Sequence, residues 1–150
     1  MQRLLGFILV LVQGMGIPLV AGLFICAVTG ELRQQRLTLE WPQLPDSNTP
    51  SVELLLLSLP CILAYVGLAG LLHKPLWRAA SFVLLAGLAA YFNSAVFAQA
   101  FGNTWTQSEI FFGLMLQHLH LLAMALLPGL LLWWLVGALG TAVGRRLAQV

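Results

Sequence analysis

The chain has 150 residues, of which 60% are hydrophobic and only 8% are charged, and its mean hydropathy is +0.92. Soluble globular domains carry about 25% charged residues, so this composition excludes a water-soluble domain and predicts an integral membrane protein. The formal net charge is +2, but the basic residues are spread along the chain instead of forming one patch, so no nucleic-acid partner is expected.

Four apolar stretches are long enough to cross the roughly 30 Å hydrocarbon core of a bilayer, which takes about 20 helical residues. We therefore predict an all-α fold, with one integral membrane domain in which four transmembrane helices form a small bundle. The predicted spans are approximately residues 4–28, 52–72, 79–101 and 117–143, with an outer loop at 29–51.

The first span follows a short basic start, as the apolar part of a secretory signal does. A signal core is only about 7–15 residues long. The run at 4–28 is longer than that, and no small residue precedes Cys26 as a lipoprotein cleavage site would require. We therefore expect a retained helix.

Two series of small residues, each spaced by four positions, predict faces for close helix packing. In lipid, helix association depends on such packing because the hydrophobic effect is absent. In the first span the series includes Gly14 and Gly22, and in the third it includes Ala86, Ala90 and Ser94.

The last apolar stretch is too long for a single perpendicular crossing, since about 34 helical residues would measure roughly 50 Å. We expect residues 108–116 to lie in the outer interface as a short helix, with the crossing beginning near Gln117. Pro128 and Gly129 offer a second place where the helix can bend.

The basic residues predict the orientation of the bundle. Five of them would share one side with both termini, whereas the opposite side would hold only Arg33 and Arg36. The positive-inside rule then places both termini in the cytoplasm. A bacterial inner membrane suits the short basic loops. The five are Arg3, Lys74, Arg78, Arg145 and Arg146.

A few polar side chains fall inside the predicted spans, where they are costly unless they face the bundle interior. They either join neighbouring helices or line a pathway, and the sequence leaves both interpretations open. The absence of an ionisable residue at mid-membrane argues against an autonomous proton-driven transporter. The candidates are Gln13, Asn93, Gln117, His118 and His120.

Enzymatic chemistry has no motif in this chain: paired carboxylates, a phosphate-binding glycine loop and HExxH are all missing. We predict no catalytic residue, cofactor or metal. His73 is predicted at the opposite end of the bundle from His118 and His120, which stand about 200° apart on a regular helix and so should face opposite ways. A haem- or quinone-associated redox subunit that uses His118 or His120 is the alternative.

One resemblance is carried by PLWR at 75–78 and by the run QHLHLLAMALLPGLLLWWLVGALGTAVGRR at 117–146. Residues 75–146 are similar to the N-terminal part of ABC importer permease subunits of the osmoprotectant or betaine type. In that family an outer Gln-His-Leu leads into the first helix of the permease core. The family's cytoplasmic coupling loop, with Glu-Ala-Ala and a distal glycine, is absent. The resemblance therefore implies a partial, split or repurposed permease piece.

Together these features predict a non-enzymatic membrane protein, a transport-associated or accessory subunit. Its expected partners are the lipid bilayer and either other membrane subunits or further copies of itself.

Overall fold

The computed structural model describes residues 2–42, 49–98 and 105–147, and within these ranges all regular structure is helical. The end of the third predicted span and residues 43–48 of the predicted outer loop lie outside the described residues. The helices are α1 (Gln2–Gly14), α2 (Gly16–Gln34), α3 (Pro50–Leu71), α4 (Pro75–Phe97), α5 (Gln107–Glu109) and α6 (Leu119–Leu147), with a π-helical segment at Ile110–Leu116.

Four of the helical stretches are long and apolar enough to span a membrane: Leu4–Gln34, which combines α1 and α2, then α3, α4, and Leu119–Ala142 of α6. The predicted all-α membrane fold with four spans is confirmed. Helices α3 and α4 both begin with proline, which suits the first helical position because its missing N–H is not needed there.

The first span is interrupted at Met15, where α1 ends and α2 begins. Pro18 explains the break, because it has no N–H to donate to the Gly14 carbonyl and its ring crowds that carbonyl. The Met15 amide still donates to the carbonyls of Leu11 (3.1 Å) and Val12 (3.2 Å), so hydrogen bonding continues up to the interruption.

Helix α2 runs to Gln34, six residues beyond the predicted end of the first span at Val28. No proline stands between these positions. The helix ends at Gln35, which takes a left-handed conformation (φ 52°) while its N–H donates to the Glu31 carbonyl at 2.9 Å.

After Gln35 the chain folds back along α2. The Glu40 N–H donates to the Cys26 carbonyl at 3.1 Å. A Cβ atom on Gly30 would overlap the carbonyl oxygen of Thr38. The small residues at the end of α2 therefore receive the returning loop instead of another helix.

Each of the two predicted packing faces is buried in the structure. A Cβ on Gly14 would lie 3.3 Å from Ile62, and one on Gly22 would lie 3.3 Å from Leu54, so both glycines face α3. Helix α4 packs most extensively against α2 and α3. Its small residues Ala86, Ala90 and Ser94 are all buried.

A further close contact, between α2 and α6, was not predicted. A Cβ on Gly129 would overlap Val20 and would lie 3.5 Å from the Gly16 carbonyl oxygen. Helix α6 continues through Pro128 and Gly129. This pair, singled out in the sequence as a place to bend, thus lies where two helix backbones approach closely.

Candidate functional site

An open crevice lies at one end of the bundle. It is surrounded by residues of α1, of the turn between α3 and α4, and of the C-terminal half of α6. It consists of two adjoining hollows of about 450 Å³ each, which share Gln13, Arg78, Gly137 and Thr141 in their walls. We call it the Arg78 crevice. We call this end of the bundle, where α1 starts and α3 gives way to α4, the basic end.

The two hollows differ in chemical character. The first is apolar and glycine-rich, and a Cβ added to Gly6 or Gly70 in its wall would meet no atom within 4 Å. The second has His73, Trp133 and Trp134 in its wall. Both hollows combine the polar side chains of Gln13, Arg78 and Thr141 with apolar residues, so the crevice is amphipathic.

Arg78 is half-buried in the first turn of α4, a position where the helix dipole disfavours a cation. Its Nε–H donates to the Leu72 carbonyl at 2.6 Å, beyond the end of α3. A guanidinium has five N–H donors. Among the described residues the four on its Nη atoms have no hydrogen-bond or ion-pair partner, so they remain available to water or to a ligand.

The sequence offers no carboxylate side chain close to Arg78 along the chain. Among the described residues the acidic side chains are Glu31 near the end of α2, Glu40 in the loop that follows, Glu53 in the first turn of α3 and Glu109 at the end of α5. We call the end of the bundle where α2 ends and α3 begins the acidic end. No described acidic side chain is paired with Arg78, so its charge is available to an anion.

Gln13 and Trp133, which line the crevice, belong to a hydrogen-bonded group of three side chains from three spans, and the third member, Tyr65, is fully buried. Trp133 donates through Nε1 to the Tyr65 hydroxyl at 2.5 Å, and that hydroxyl donates to Oε1 of Gln13 at 3.3 Å. Gln13 in turn donates through Nε2 to the Trp133 carbonyl at 3.0 Å. Tyr65 also contacts Phe82 edge to face, with ring centroids 5.8 Å apart. This closed group fixes α1, α3 and α6 around the crevice.

The other predicted polar residues lie elsewhere. Asn93 is fully buried, and its Nδ2 donates to the Ser58 hydroxyl at 3.2 Å and to the Ala89 carbonyl at 2.8 Å. Its Oδ1 has no partner among the described residues. Asn93 thus joins α4 to α3 and is not brought to Gln13, whose partners are Tyr65 and Trp133.

At the acidic end, the expectation that His118 and His120 face opposite ways is wrong. Their ring centroids are 6.3 Å apart. The reason is that the backbone direction does not fix where the rings lie: each imidazole turns about two side-chain bonds, and the two rings lean toward each other. A turn covers Gln117 and His118, and Gln117 is exposed in it. His120 lies 3.6 Å from the Glu31 carboxylate at the end of α2.

Sequence reasoning missed Tyr65, Arg78 and Trp133 as members of a site. Arg78 was counted for orientation alone, although the lack of any acidic residue near it in the sequence was a usable signal. Tyr65 and Trp133 carry polar tips on apolar rings, and such tips need a partner when they are buried. No sequence pattern indicated that their partner would be Gln13, 52 positions before Tyr65.

In the part of the chain that the structure describes, no group of three or more His, Cys, Asp or Glu side chains is arranged to hold a metal ion. Comparisons of the chain with known protein families, with curated proteins and with solved structures find no match. The chain is a membrane protein built on a four-span helical bundle.

Proposed function

We propose that this chain is a non-enzymatic membrane subunit that holds an anionic group in the Arg78 crevice and takes part in transport together with another membrane protein or a second copy of itself. One observation carries the proposal: the Arg78 guanidinium lines an open crevice, and neither a hydrogen-bond acceptor nor an acidic side chain among the described residues occupies its Nη donors. Charge-assisted hydrogen bonds from Arg to an anion are short and strong.

The binding part of the proposal is tested with simple anions. Purified protein in a neutral detergent would be titrated with inorganic phosphate and with dihexanoyl phosphatidylglycerol, a lipid with short chains, by isothermal calorimetry. We expect saturable binding of at least one probe and its loss in Arg78→Gln. Binding that Arg78→Gln leaves unchanged, or no binding of either probe, would contradict the proposal.

The transport part is supported by the resemblance of residues 75–146 to importer permease subunits. In those subunits the helix corresponding to α6 is the first helix of the permease core. Gentle extraction from the native membrane followed by mass spectrometry would identify what co-purifies. Recovery with an ATPase subunit and a second permease is the expected result. Recovery as a solitary chain without either would count against a transport role.

The orientation belongs to the same proposal: the basic end faces the cytoplasm, both termini lie on that side, and the membrane is a bacterial inner membrane. Two variants, Lys74→Cys and Arg36→Cys, would each be made in a background with Cys26→Ser and Cys61→Ser. Each would be labelled in intact cells with an impermeant maleimide. We expect labelling at position 36 and protection at position 74, and the reverse pattern would overturn the assignment.

A redox role remains the second candidate because of how His118 is held. Its Nδ1 lies 3.1 Å from the Leu114 carbonyl, which can only accept, so Nδ1 carries the proton and Nε2 is left free. Histidine ligands are often oriented by such a bond. A Soret band lost in His118→Ala would support this role, whereas a featureless visible spectrum from haem-replete cells would exclude a haem.

A further inference from the structure

We propose that the occupant of the Arg78 crevice is one anionic phospholipid, whose phosphate is bound by Arg78 and whose acyl chain lies in the glycine-rich groove between α1 and α3. This inference rests on the proposed function and names the chemical class of the anion. It combines two properties of the crevice that a soluble anion would not need together.

The first property is the charge at the mouth of the crevice. The unused Nη donors of Arg78 can bind a phosphate group through two parallel hydrogen bonds. Lys74 is exposed in the turn just before α4 and adds a second positive charge at this end of the bundle. Basic pockets between transmembrane helices are typical sites for anionic lipid head groups.

The second property is the groove that leads away from Arg78. From Gly6 to Gln13 the wall follows α1 for seven residues, which is roughly 10 Å at the helical rise. Gly6 and Gly70 leave open space along it, since a Cβ on either would meet no atom. Phe7 and Val66 add apolar surface to the same wall. A hydrated anion gains nothing from such a surface, whereas an acyl chain fits it.

The aromatic residues place this end of the bundle at the depth of the lipid head groups. Trp77, one residue before Arg78, and Trp134, in the wall of the second hollow, are each 60% exposed. Tryptophan is enriched at the boundary between hydrocarbon and water. A lipid bound here would keep its head group level with those of its neighbours.

The experiment uses two matched glycine variants of the full chain in neutral detergent. Gly70→Leu fills the groove. Gly67→Leu introduces the same side chain three residues earlier on α3, where an added Cβ also meets no atom, but Gly67 does not line the crevice. The probes are dioleoyl phosphatidylglycerol, dihexanoyl phosphatidylglycerol, dioleoyl phosphatidylcholine and inorganic phosphate. Binding is followed by native mass spectrometry and by the shift in Tm.

We expect the wild type to bind dioleoyl phosphatidylglycerol about tenfold more tightly than dioleoyl phosphatidylcholine or inorganic phosphate, as the loss of one charge-assisted interaction or of the acyl contact would produce. Gly70→Leu should lose the preference over inorganic phosphate, which depends on the acyl chain, and Gly67→Leu should keep it. Gly6→Leu, which narrows the groove from α1, should behave as Gly70→Leu does. Circular dichroism and gel filtration would check that the variants fold.

The outcomes separate the two proposals. If the dihexanoyl and dioleoyl lipids bind equally and Gly70→Leu changes neither, the crevice holds an anion without its acyl chain, and the lipid assignment is overturned while the proposed function stands. If phosphatidylcholine binds as well as phosphatidylglycerol, the anionic preference is wrong. If no probe binds to the wild type, or if Arg78→Gln measured alongside binds every probe as the wild type does, both proposals fail.

Discussion

Arg33 at the acidic end and Arg78 at the basic end have different kinds of hydrogen-bond partner. At the acidic end, Arg33 donates to Glu40 at 2.8 Å, and Gln34 donates to the other oxygen of the same carboxylate at 3.1 Å. At the basic end, Arg78 has one backbone carbonyl as its partner and lies in an open crevice. Arg33 thus holds the returning loop in place, whereas Arg78 lies in a crevice and keeps donors that can bind another group.

The difference shows why exposure alone does not identify a functional charge. Arg33 is exposed, and isolated surface pairs of this kind contribute little to stability. Arg78 is half-buried between helices, where an uncompensated charge is costlier. That cost is tolerated where a ligand or a lipid head group offsets it, and the predictions below test this contrast.

The largest effect is expected where α2 and α6 meet, because the two helices approach closely there. Gly129→Leu would push into Val20 and toward the Gly16 backbone. Overpacking of this kind costs about 1–3 kcal/mol or more. The free energy of unfolding in detergent would be measured, with Gly87→Leu as the control because a Cβ there meets no atom within 4 Å. Equal losses in the two variants would show that the close approach has no special role.

Two tyrosines, one toward each end, provide the next test. Tyr65→Phe removes the hydroxyl that joins Trp133 to Gln13, so we expect a loss of about 1 kcal/mol in unfolding free energy. Tyr91→Phe removes an exposed hydroxyl that donates to Gln107 and should change stability by less than about 0.5 kcal/mol. A larger loss in Tyr91→Phe than in Tyr65→Phe would show that the hydrogen bonds among Tyr65, Trp133 and Gln13 do not stabilise the bundle as proposed.

Asn93 should contribute less than Tyr65 although it is fully buried. Its Oδ1 has no partner among the described residues, so Asn93→Leu removes an unsatisfied group together with two hydrogen bonds. The Ser58 hydroxyl keeps its bond to the Leu54 carbonyl. We expect a change below about 1 kcal/mol in unfolding free energy. A loss well above that of Tyr65→Phe would assign Asn93 a greater role than joining two helices.

The smallest effect is expected at the acidic end, where the contribution of the contact between Arg33 and Glu40 depends on pH. The hydrogen bond from Arg33 lowers the pKa of Glu40 below its ordinary value of 4.5. A lowered pKa means that the contact stabilises the fold above pH 4.5 and that this contribution is lost as the pH falls through the lowered pKa. In an NMR titration of the Glu40 carboxyl group, Arg33→Gln should raise the pKa toward 4.5.

The nearby Arg36 serves as the control for that titration, because it forms no ion pair among the residues described. Arg36→Gln should leave the Glu40 pKa almost unchanged. Equal shifts in the two variants would mean that the number of positive charges nearby, and not the hydrogen bond from Arg33, lowers the pKa of the Glu40 carboxyl group.

The fold could be predicted from the sequence because span length and apolar composition determine it. The place where α2 ends was harder to predict, since the helix stops where the loop folds back onto Gly30 and Cys26, and such a contact depends on tertiary structure. The predicted relation between His118 and His120 was wrong because helix periodicity gives the direction of each Cβ atom, whereas the side-chain rotamers decide where the imidazole rings lie.

The site was only partly predictable. Gln13 was recognised because a polar residue inside an apolar span stands out. Tyr65 and Trp133 did not stand out, since aromatic residues are ordinary in membrane helices and their polar atoms matter only once a partner is near. Arg78 was visible but ambiguous, because a basic residue beside a span indicates orientation as readily as binding.

The most direct test of the contrast between the two ends compares the same substitution at each. The affinity for dioleoyl phosphatidylglycerol would be measured by native mass spectrometry for the wild type, Arg78→Gln and Arg33→Gln, with circular dichroism to check folding. We predict that Arg78→Gln weakens binding about tenfold or more and that Arg33→Gln leaves it unchanged. Equal weakening by both variants, or by neither, would contradict the assignment of the basic end as the binding end.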